Sequence, residues 1–247
     1  MRSVADLKAI LLVGGLGTRL RTVVPLTAKP MASVGDRPFL ELLVRQLRSQ
    51  GIRRLVMCTG YRAQDIQHAL GDGSSWDVEI EYSSESAPLG TAGAIKLAQP
   101  LVSGSAEFLV LNGDSFVEID FERLVQFHKQ KGGIASIAVV KTENIMRYGT
   151  VGVGRDGRVV SFSEKASAQP GGLINAGVYV FNPQLFDYIA DGPSSLEKDI
   201  FPNLLSRGIY ALEQEGIFID IGTPGDYARA QEISARLLGA ANGELPR

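Results

Sequence analysis

A short glycine-rich segment near the N-terminus is followed at once by basic side chains. Glycines allow backbone N–H groups to approach phosphates closely, and Arg19, Arg21 and Lys29 could neutralise the charge of a triphosphate. Because single surface cations are usually solvated, that simpler interpretation stays open for each of them. The segment is compatible with a phosphate-binding loop, although glycine-rich turns after a first strand are also common. It comprises Gly14, Gly15, Leu16, Gly17, Thr18 and Arg19.

The spacing of these glycines differs from that of two common nucleotide-binding loops. A dinucleotide fingerprint would carry glycine where Leu20 stands. A P-loop would end in Gly-Lys-Ser or Gly-Lys-Thr, and the chain has neither tripeptide. Another arrangement of residues must therefore hold the phosphates.

Two aspartates are candidates for a metal site. Asp114 ends the tripeptide Asn112-Gly113-Asp114, which follows an apolar run, and a carboxylate at the end of a strand suits Mg²⁺. The same tripeptide is also common in simple turns. Asp220 lies among apolar residues, where burying a carboxylate is costly unless a metal ion or a structural lysine or arginine compensates its charge.

An acidic and a basic residue, Glu164 and Lys165, are adjacent in the second half of the chain. The glutamate could accept hydrogen bonds from sugar hydroxyls, and the lysine could bind a phosphate. Taken alone, such a pair is also typical of surface charges.

The pattern of apolar residues predicts the elements that position these groups. The run from Leu7 to Val13 indicates a buried strand that ends at the glycine loop, and strands and amphipathic helices then alternate. This alternation predicts an α/β fold with a doubly wound, mainly parallel, Rossmann-like sheet. The turn Arg155-Asp156-Gly157 between two strand-like runs predicts a small antiparallel excursion near residues 141 to 182. A single helix is expected from Thr223 to Leu238, with a frayed tail after it.

Composition limits the classes of function. Of the 247 residues, 45% are hydrophobic and 21% are charged, which is typical of a globular protein. The formal net charge of −2 provides no broad cationic field, so we expect no nucleic-acid partner. No apolar stretch approaches the roughly 18 residues of a membrane helix, and we expect a cytoplasmic protein without membrane association. The lone Cys58 is expected to be buried, and His68 and His128 to be at the surface.

Several motifs follow one another in an order that strongly resembles the sugar-1-phosphate nucleotidyltransferases, or NDP-sugar pyrophosphorylases. The resemblance covers roughly residues 7 to 230, although that family usually has alanine where this chain has Val13. The motifs are the glycine loop, Lys29-Pro30-Met31-Ala32, Arg37-Pro38-Phe39-Leu40-Glu41, Asn-Gly-Asp-Ser-Phe around Asp114 and Phe-Ile-Asp-Ile-Gly-Thr-Pro around Asp220.

The resemblance implies a role for each candidate residue. Arg19 would contact the leaving pyrophosphate and Lys29 would steady the triphosphate. Asp114 and Asp220 would share a Mg²⁺ ion bound to the nucleotide phosphates. The implied sugar-phosphate contacts are Gly149, Glu164, Lys165 and Asn175, with Lys165 holding the phosphate and counted with Arg19, Lys29 and Asp114 as catalytic.

The segment Glu85 to Gly93 resembles the family's base-binding loop. It adds Glu85, Pro88, Gly90 and Thr91 to the implied nucleotide-binding residues. At this place Glu85 could accept hydrogen bonds from both N1–H and the exocyclic amine of guanine, which favours GTP. The same carboxylate could also accept one imide N–H of a pyrimidine.

The implied reaction transfers a nucleotidyl group from an NTP to a sugar 1-phosphate and releases pyrophosphate. The motifs are most similar to those of D-glycero-D-manno-heptose 1-phosphate guanylyltransferases, which make GDP-heptose for surface polysaccharides. The chain departs from that pattern at residues 25–28, where a proline usually precedes the lysine. A mannose 1-phosphate guanylyltransferase, or a hexose 1-phosphate thymidylyl- or uridylyltransferase, is the alternative enzyme.

A non-catalytic regulatory subunit that binds nucleotide sugars is the alternative from another class, but such a protein need not retain all five charged candidates together. We expect a single nucleotidyltransferase domain over residues 1–247, with residues 7–112 mainly on the nucleotide side and 113–238 mainly on the sugar-phosphate side. No C-terminal β-helix domain is expected. The oligomeric state is open, and a homo-oligomer is compatible with the sequence.

Overall fold

The structure is a computed structural model that describes residues 4–25, 27–143, 145, 148–163 and 171–244. Its strands are β1 (Lys8–Leu12), β2 (Ser33–Val34), β3 (Arg37–Pro38), β4 (Arg54–Thr59), β5 (Glu79–Ser84), β6 (Phe108–Asn112), β7 (Ser115–Val117), β8 (Ala135–Thr142), β9 (Thr150–Val153), β10 (Val159–Ser163), β11 (Gly172–Phe181), β12 (Ile209–Gln214) and β13 (Phe218–Asp220). Its α-helices are α1 (Phe39–Ser49), α2 (Ala63–Leu70), α3 (Gly90–Leu97), α4 (Gln99–Val102), α5 (Phe121–Lys131), α6 (Phe201–Leu204), α7 (Pro224–Glu232) and α8 (Ser234–Ala241).

A central sheet, formed by nine strands of the described residues, carries the site. β1 lies between β4 and β6, β5 lies beyond β4, and these four strands are parallel. The long strand β11 runs antiparallel to β6, β8 and β9, while β12 pairs with β8 in parallel. The predicted mainly parallel α/β sheet with an antiparallel excursion is therefore confirmed.

Strand β1 is apolar from its second residue, Ala9, to its end. Successive side chains of a strand point to opposite faces of the sheet. Ala9 and Leu11 are buried in one hydrophobic cluster, and Ile10 is buried in a second. Because both faces of the sheet are covered, the buried positions of this strand are apolar, and its one charged residue, Lys8, lies half-buried at the first position.

Helix α1 is buried along most of its length, and two of its glutamines hold the chain that follows Asp114. The Gln46 amide donates to the Val117 carbonyl at 2.7 Å. The Gln50 side chain donates to the Ile119 carbonyl and accepts from the Phe121 N–H, each at 2.8 Å. These bonds satisfy backbone groups that no sheet neighbour reaches, and they fix the path of β7 relative to α1.

Some predicted elements differ from those observed. The predicted helix over Thr223 to Leu238 divides into α7 and α8 at Ile233, whose ψ of 13° leaves the helical range. The expectation of fraying from Gly239 was wrong, because α8 continues to Ala241. His128 was expected at the surface but is buried. Cys58 is buried, as predicted.

Across the described ranges, no helix has both the length and the apolar character needed to cross a membrane.

Candidate active site

Three loops meet at the carboxyl ends of the parallel strands. The Tyr61 N–H donates to the Gly14 carbonyl at 3.2 Å, and the Gly113 N–H donates to the Leu12 carbonyl at 3.0 Å. The Glu85 N–H donates to the Thr59 carbonyl at 2.9 Å. These bonds place the glycine loop, the Asn-Gly-Asp loop and the segment after β5 around one cavity of about 510 Å³. It is lined by Leu12, Gly14, Gly15, Leu16, Cys58, Gly60, Tyr61, Glu85, Ser86, Ala87, Pro88, Gly90, Thr91, Ala94, Asn112 and Asp114.

The glycine loop lies directly against Lys29. Gly17 has a φ of +60°, and a Cβ at this position would lie 2.8 Å from the Cβ of Lys29. A side chain here would therefore both strain the backbone and push the lysine away. Thr18 and Arg19 are exposed on the same loop.

Four polar side chains form what we call the strand-end corner: Lys29, Asp114, Ser115 and Asp220. The Lys29 ammonium lies 2.5 Å from Oδ2 of Asp114. The Ser115 hydroxyl lies 3.3 Å from Oδ1 of Asp114 and 3.3 Å from Oδ2 of Asp220. The two aspartates, which are more than a hundred residues apart in sequence, therefore point into one region.

A small ribbon outside the central sheet brings the aspartates together. β7 and β13 are antiparallel, and Asp220 is the register partner of Ser115. The Ile221 N–H then donates to the Asp114 carbonyl at 2.9 Å. The position of Asp220 is thus set by the backbone of the chain that carries Asp114.

The electrostatics of the corner are unfavourable for a second carboxylate. Burial and the neighbouring Asp114 raise the pKa of Asp220, while Lys29 and the Gly222 N–H act in the opposite direction. The Gly222 N–H donates to Oδ1 of Asp220 at 2.5 Å. A Cβ on Gly222 would lie 3.1 Å from the Lys29 ammonium and 3.5 Å from Nη2 of Arg19, so both cations border the corner.

The chemistry of the corner fits Mg²⁺. Among the described residues, no cluster contains three or more histidine, cysteine or acidic side chains suited to a metal. Mg²⁺ needs fewer, because it is commonly held by one or two carboxylates together with phosphate oxygens of a substrate. A carboxylate pair beside a phosphate-binding loop offers this donor set.

Two of the predicted sugar contacts lie next to each other on the antiparallel side. The Asn175 N–H donates to the Gly149 carbonyl at 3.0 Å. The Asn175 side chain donates to the Tyr179 hydroxyl at 2.7 Å and accepts from the Gly177 N–H at 3.0 Å. Both polar atoms of this side chain thus have protein partners. The other two predicted contacts, Glu164 and Lys165, lie outside the described residues.

Tyr179 joins the sugar-side strand to the loop of Asp114. Its ring is fully buried, and burial raises the pKa of its phenol well above the usual value. The nearby side chains of Asn175 and Asn112 act in the opposite direction and lower this pKa. Asn112 precedes Asp114 by two residues, so one hydroxyl links the metal candidate to Asn175.

The segment that resembles a base-binding loop lines the cavity with all four of its predicted residues, Glu85, Pro88, Gly90 and Thr91. The Thr91 hydroxyl donates to the Glu197 carboxylate at 3.0 Å and accepts from the Leu196 N–H at 2.8 Å. Oε2 of Glu85 accepts from the Leu89 N–H at 3.1 Å. Thr91 therefore anchors the loop to the chain that follows β11.

Sequence reasoning missed several residues of the site. Ser115 adjoins Asp114 but carries no signal that it bridges two carboxylates. Tyr61 forms part of the cavity wall, and the Arg21 guanidinium lies 4.4 Å from the centre of its ring in a cation–π contact. Cys58 also lines the cavity, and burial, followed by the charge of Glu85, raises its pKa to about 12.

Comparison with known proteins defines the class. The profile of the family described as nucleotidyl transferase matches residues 8–236, and the chain belongs to this family. Mannose-1-phosphate guanylyltransferase catalytic subunit beta of Drosophila pseudoobscura pseudoobscura is 38% identical over 223 residues, covering 89% of this chain and 60% of the relative. Mannose-1-phosphate guanylyltransferase 1 of Arabidopsis thaliana is 38% identical over 226 residues, covering 90% and 63%.

This chain thus spans about three fifths of the length of these curated relatives. Among solved structures, HddC from Yersinia pseudotuberculosis complexed with GMP-PN is similar with a TM-score of 0.82 and 31% identity. The match covers 92% of this chain and 98% of that one. A structure described as a putative glucose-1-phosphate thymidylyltransferase from Bacillus anthracis, at 24% identity and a TM-score of 0.83, supports the fold alone.

Proposed function

We propose that this protein transfers a nucleotidyl group from an NTP to a sugar 1-phosphate and releases pyrophosphate. The observation that carries the proposal is the meeting of Asp114 and Asp220 through Ser115, beside Lys29 and the glycine loop. Two carboxylates and two cations at a strand end suit the binding of two polyanions. In this proposal residues 7–112 bind mainly the nucleotide and residues 113–238 mainly the sugar phosphate.

The reaction requires little acid–base chemistry from the protein. An oxygen of the sugar phosphate attacks the α-phosphorus of the nucleotide in line and forms the new P–O bond. The bond from that phosphorus to the oxygen bridging to the β-phosphate breaks, and pyrophosphate leaves with its electron pair. Arg19 would bind the departing pyrophosphate, Lys29 the triphosphate and Lys165 the sugar phosphate, so that repulsion between the reactants is offset.

Asp114 and Asp220 are the proposed ligands of Mg²⁺, which when bound supplies positive charge to the phosphate oxygens. Ser115 keeps the two carboxylates directed at one point before substrates arrive. The glycine loop contributes backbone N–H groups of Gly14, Gly15 and Gly17, with Thr18 beside them.

GTP is the proposed nucleotide. Glu85 lines the cavity and is the residue that could accept both N1–H and the exocyclic amine of guanine. The similar HddC structure was solved with GMP-PN, and the relatives described above are named as guanylyltransferases. Pro88, Gly90 and Thr91 would shape the same loop around the base.

Mannose 1-phosphate is the proposed acceptor. The relatives are named for this sugar phosphate, and this favours the alternative of the sequence analysis over D-glycero-D-manno-heptose 1-phosphate. Gly149 and Asn175 would lie beside the sugar, and Glu164 with Lys165 would bind its hydroxyls and phosphate. The two acceptors differ at the end of the sugar remote from the phosphate, so both remain arms of the test.

A matrix of NTPs against sugar 1-phosphates, with pyrophosphate release as the readout, tests the proposal. We expect the highest kcat/KM with GTP and mannose 1-phosphate. A higher value with the heptose phosphate would restore the expectation from the motifs, while equal rates with GTP, UTP and dTTP would overturn the role of Glu85. Absence of pyrophosphate release with every pair would overturn the proposed activity and favour a non-catalytic, nucleotide-sugar-binding protein.

A further inference from the structure

Lys29 lies directly against Asp114, one of the two proposed metal ligands. Its ammonium lies 2.5 Å from Oδ2 of Asp114. The side chain of Lys29 is only 11% exposed, whereas that of Asp114 is 33% exposed, so the lysine closes the buried side of this carboxylate. Ser115 and Asp220 complete the neighbourhood.

The stem of the lysine is fixed, while its ammonium lies beside the backbone of Gly222. Lys29 begins a short 3₁₀ turn whose second residue is Pro30, and Gly17 packs on its Cβ. Near the tip, Gly222 has no side chain, and the site a Cβ would fill lies 3.1 Å from the ammonium. The ammonium of Lys29 can therefore move while the Cβ end of its side chain stays packed against Gly17.

A divalent ion and this ammonium compete for the same oxygen. Mg²⁺ binds carboxylate oxygens at about 2.0–2.1 Å, so an ion on Oδ2 of Asp114 would lie within a few ångströms of a full positive charge. The described residues offer only two carboxylates here, which is too few to hold a bare ion firmly against that repulsion. Phosphate oxygens change this balance, because they supply further metal ligands and a new anionic partner for the lysine.

We propose that Lys29 is a displaceable occupant of the metal site, which neutralises Asp114 until the metal arrives with a nucleotide. The inference rests on the proposed function of the same site and adds an order to it. Free divalent metal binds weakly because Lys29 holds Asp114, and metal with nucleotide binds well because the lysine transfers to the phosphates. Lys29 thereby couples metal binding to nucleotide binding.

Binding of Mn²⁺ alone, measured by electron paramagnetic resonance without nucleotide, tests the inference. Lys29→Met keeps the apolar stem that packs under Gly17 and removes the charge. We expect Lys29→Met to bind Mn²⁺ about tenfold more tightly than the unmodified protein. The gain should vanish in the double variant Lys29→Met with Asp114→Asn.

Lys8→Met is the matched control. Lys8 is also a partly buried, ion-paired lysine, with its ammonium 2.8 Å from Glu81 and its side chain 21% exposed. Its loss changes the net charge by the same amount but does not touch the corner, so Mn²⁺ affinity should stay within about twofold. Lys29→Arg, which retains the charge, should also bind Mn²⁺ no more tightly than the unmodified protein.

The inference is overturned when Lys29→Met binds Mn²⁺ no more tightly than the unmodified protein, or when Lys8→Met gains as much. Circular dichroism verifies that each variant is folded, and Lys29→Gln replaces Lys29→Met if the methionine variant is not. Failure of the proposed transferase activity is recognised separately, as absence of pyrophosphate release by the unmodified protein. The comparison of Mn²⁺ affinities between the variants remains decisive in that case because it uses neither nucleotide nor sugar.

Discussion

Two clusters of polar groups, one half-buried and one fully buried, meet the cost of desolvation in opposite ways. In the strand-end corner, two carboxylates face one another with Lys29 beside them, and burial raises the pKa of Asp220. On the other side of the comparison, His128 of α5 hydrogen-bonds the Ser136 hydroxyl of β8 at 3.0 Å. Burial lowers the pKa of this histidine to about 4, so it is neutral at physiological pH.

The difference separates structural polarity from functional polarity. His128 and Ser136, which we call the histidine pair, form a neutral hydrogen bond with each other. This pair therefore requires no bound ion or ligand. The corner holds more negative charge than its neighbouring groups readily support, and a bound cation would relieve it. Burial of an ionisable group therefore does not mark a site by itself. A cluster of carboxylates at a strand end, whose charge the protein does not fully neutralise, is a better indicator of a functional site.

The largest expected effect is on turnover in the corner. Asp114→Asn should lower kcat roughly 10³-fold, because it removes a proposed metal ligand while preserving size. Thermal unfolding should show a folded protein. Asp36→Asn is the control, since this aspartate is 82% exposed and its loss should leave pyrophosphate release unchanged. Normal turnover by Asp114→Asn with Mg²⁺ would contradict a functional role for the strand-end corner.

The second prediction concerns the histidine pair and pH. The unfolded chain binds a proton at His128 near pH 6.5, but the folded protein binds it only near pH 4. The unfolded state therefore binds more protons between these values, and the free energy of unfolding falls as pH falls through this window. His128 should contribute about 3 kcal/mol to that loss.

His128→Gln isolates this contribution. Denaturant unfolding at several pH values should show a shallower loss of stability for the variant between pH 6.5 and 4, and pyrophosphate release at pH 7.5 should be unchanged. Parallel pH profiles for the two proteins would show that the histidine is already charged in the fold and that the two clusters do not differ in this respect.

A smaller effect is expected from the link between the two halves of the site. Tyr179→Phe keeps the ring packed against Phe181 and Phe201 but removes the hydroxyl that binds Asn175. The loss of this bond should raise the KM for the sugar phosphate about tenfold, with little change in the KM for the NTP. Tyr82→Phe removes a comparable hydroxyl that donates to the Gly71 carbonyl outside the site, and it should change neither KM. Equal behaviour of the two variants would make Tyr179 purely structural.

The smallest expected effect is a gain in stability. Because the pKa of Asp220 is raised, its charged form is disfavoured in the fold, and the associated cost is present at pH above the folded pKa and disappears as pH falls. Asp220→Asn should therefore stabilise the protein by about 1 kcal/mol at pH 8, and this gain should shrink as pH falls through the raised pKa of the carboxyl group. A loss of stability at pH 8 would show that the corner is held together by its charges rather than strained by them.

Periodic elements could be predicted from the sequence because their burial is regular. The strand before the glycine loop was recognised from its apolar run, and the predicted alternation of strands and helices after it is present. Asp114 and Asp220 were selected from their surroundings and their resemblance to known motifs, and the structure directs them to one region.

Pairings between short segments could not be predicted. β7 and β13 have three residues each, too few to show a period, and only the folded ribbon brings Ser115 beside Asp220. The parallel strand β12 was missed, although Gly208 before it and the burial of Ile209 and Ala211 give a weak alternating signal. The burial of His128 was missed because a helix period does not reveal how deep its neighbours lie.

The two glutamines of α1 influence the distance between the carboxylates of the strand-end corner. Gln46 and Gln50 hydrogen-bond the backbone that follows Asp114. Asp220 is positioned in turn by its pairing with that backbone. The spacing of the carboxylates therefore depends on amides that never meet a substrate. A change in this helix would alter the ion radius that the proposed metal site prefers while leaving both carboxylates in place.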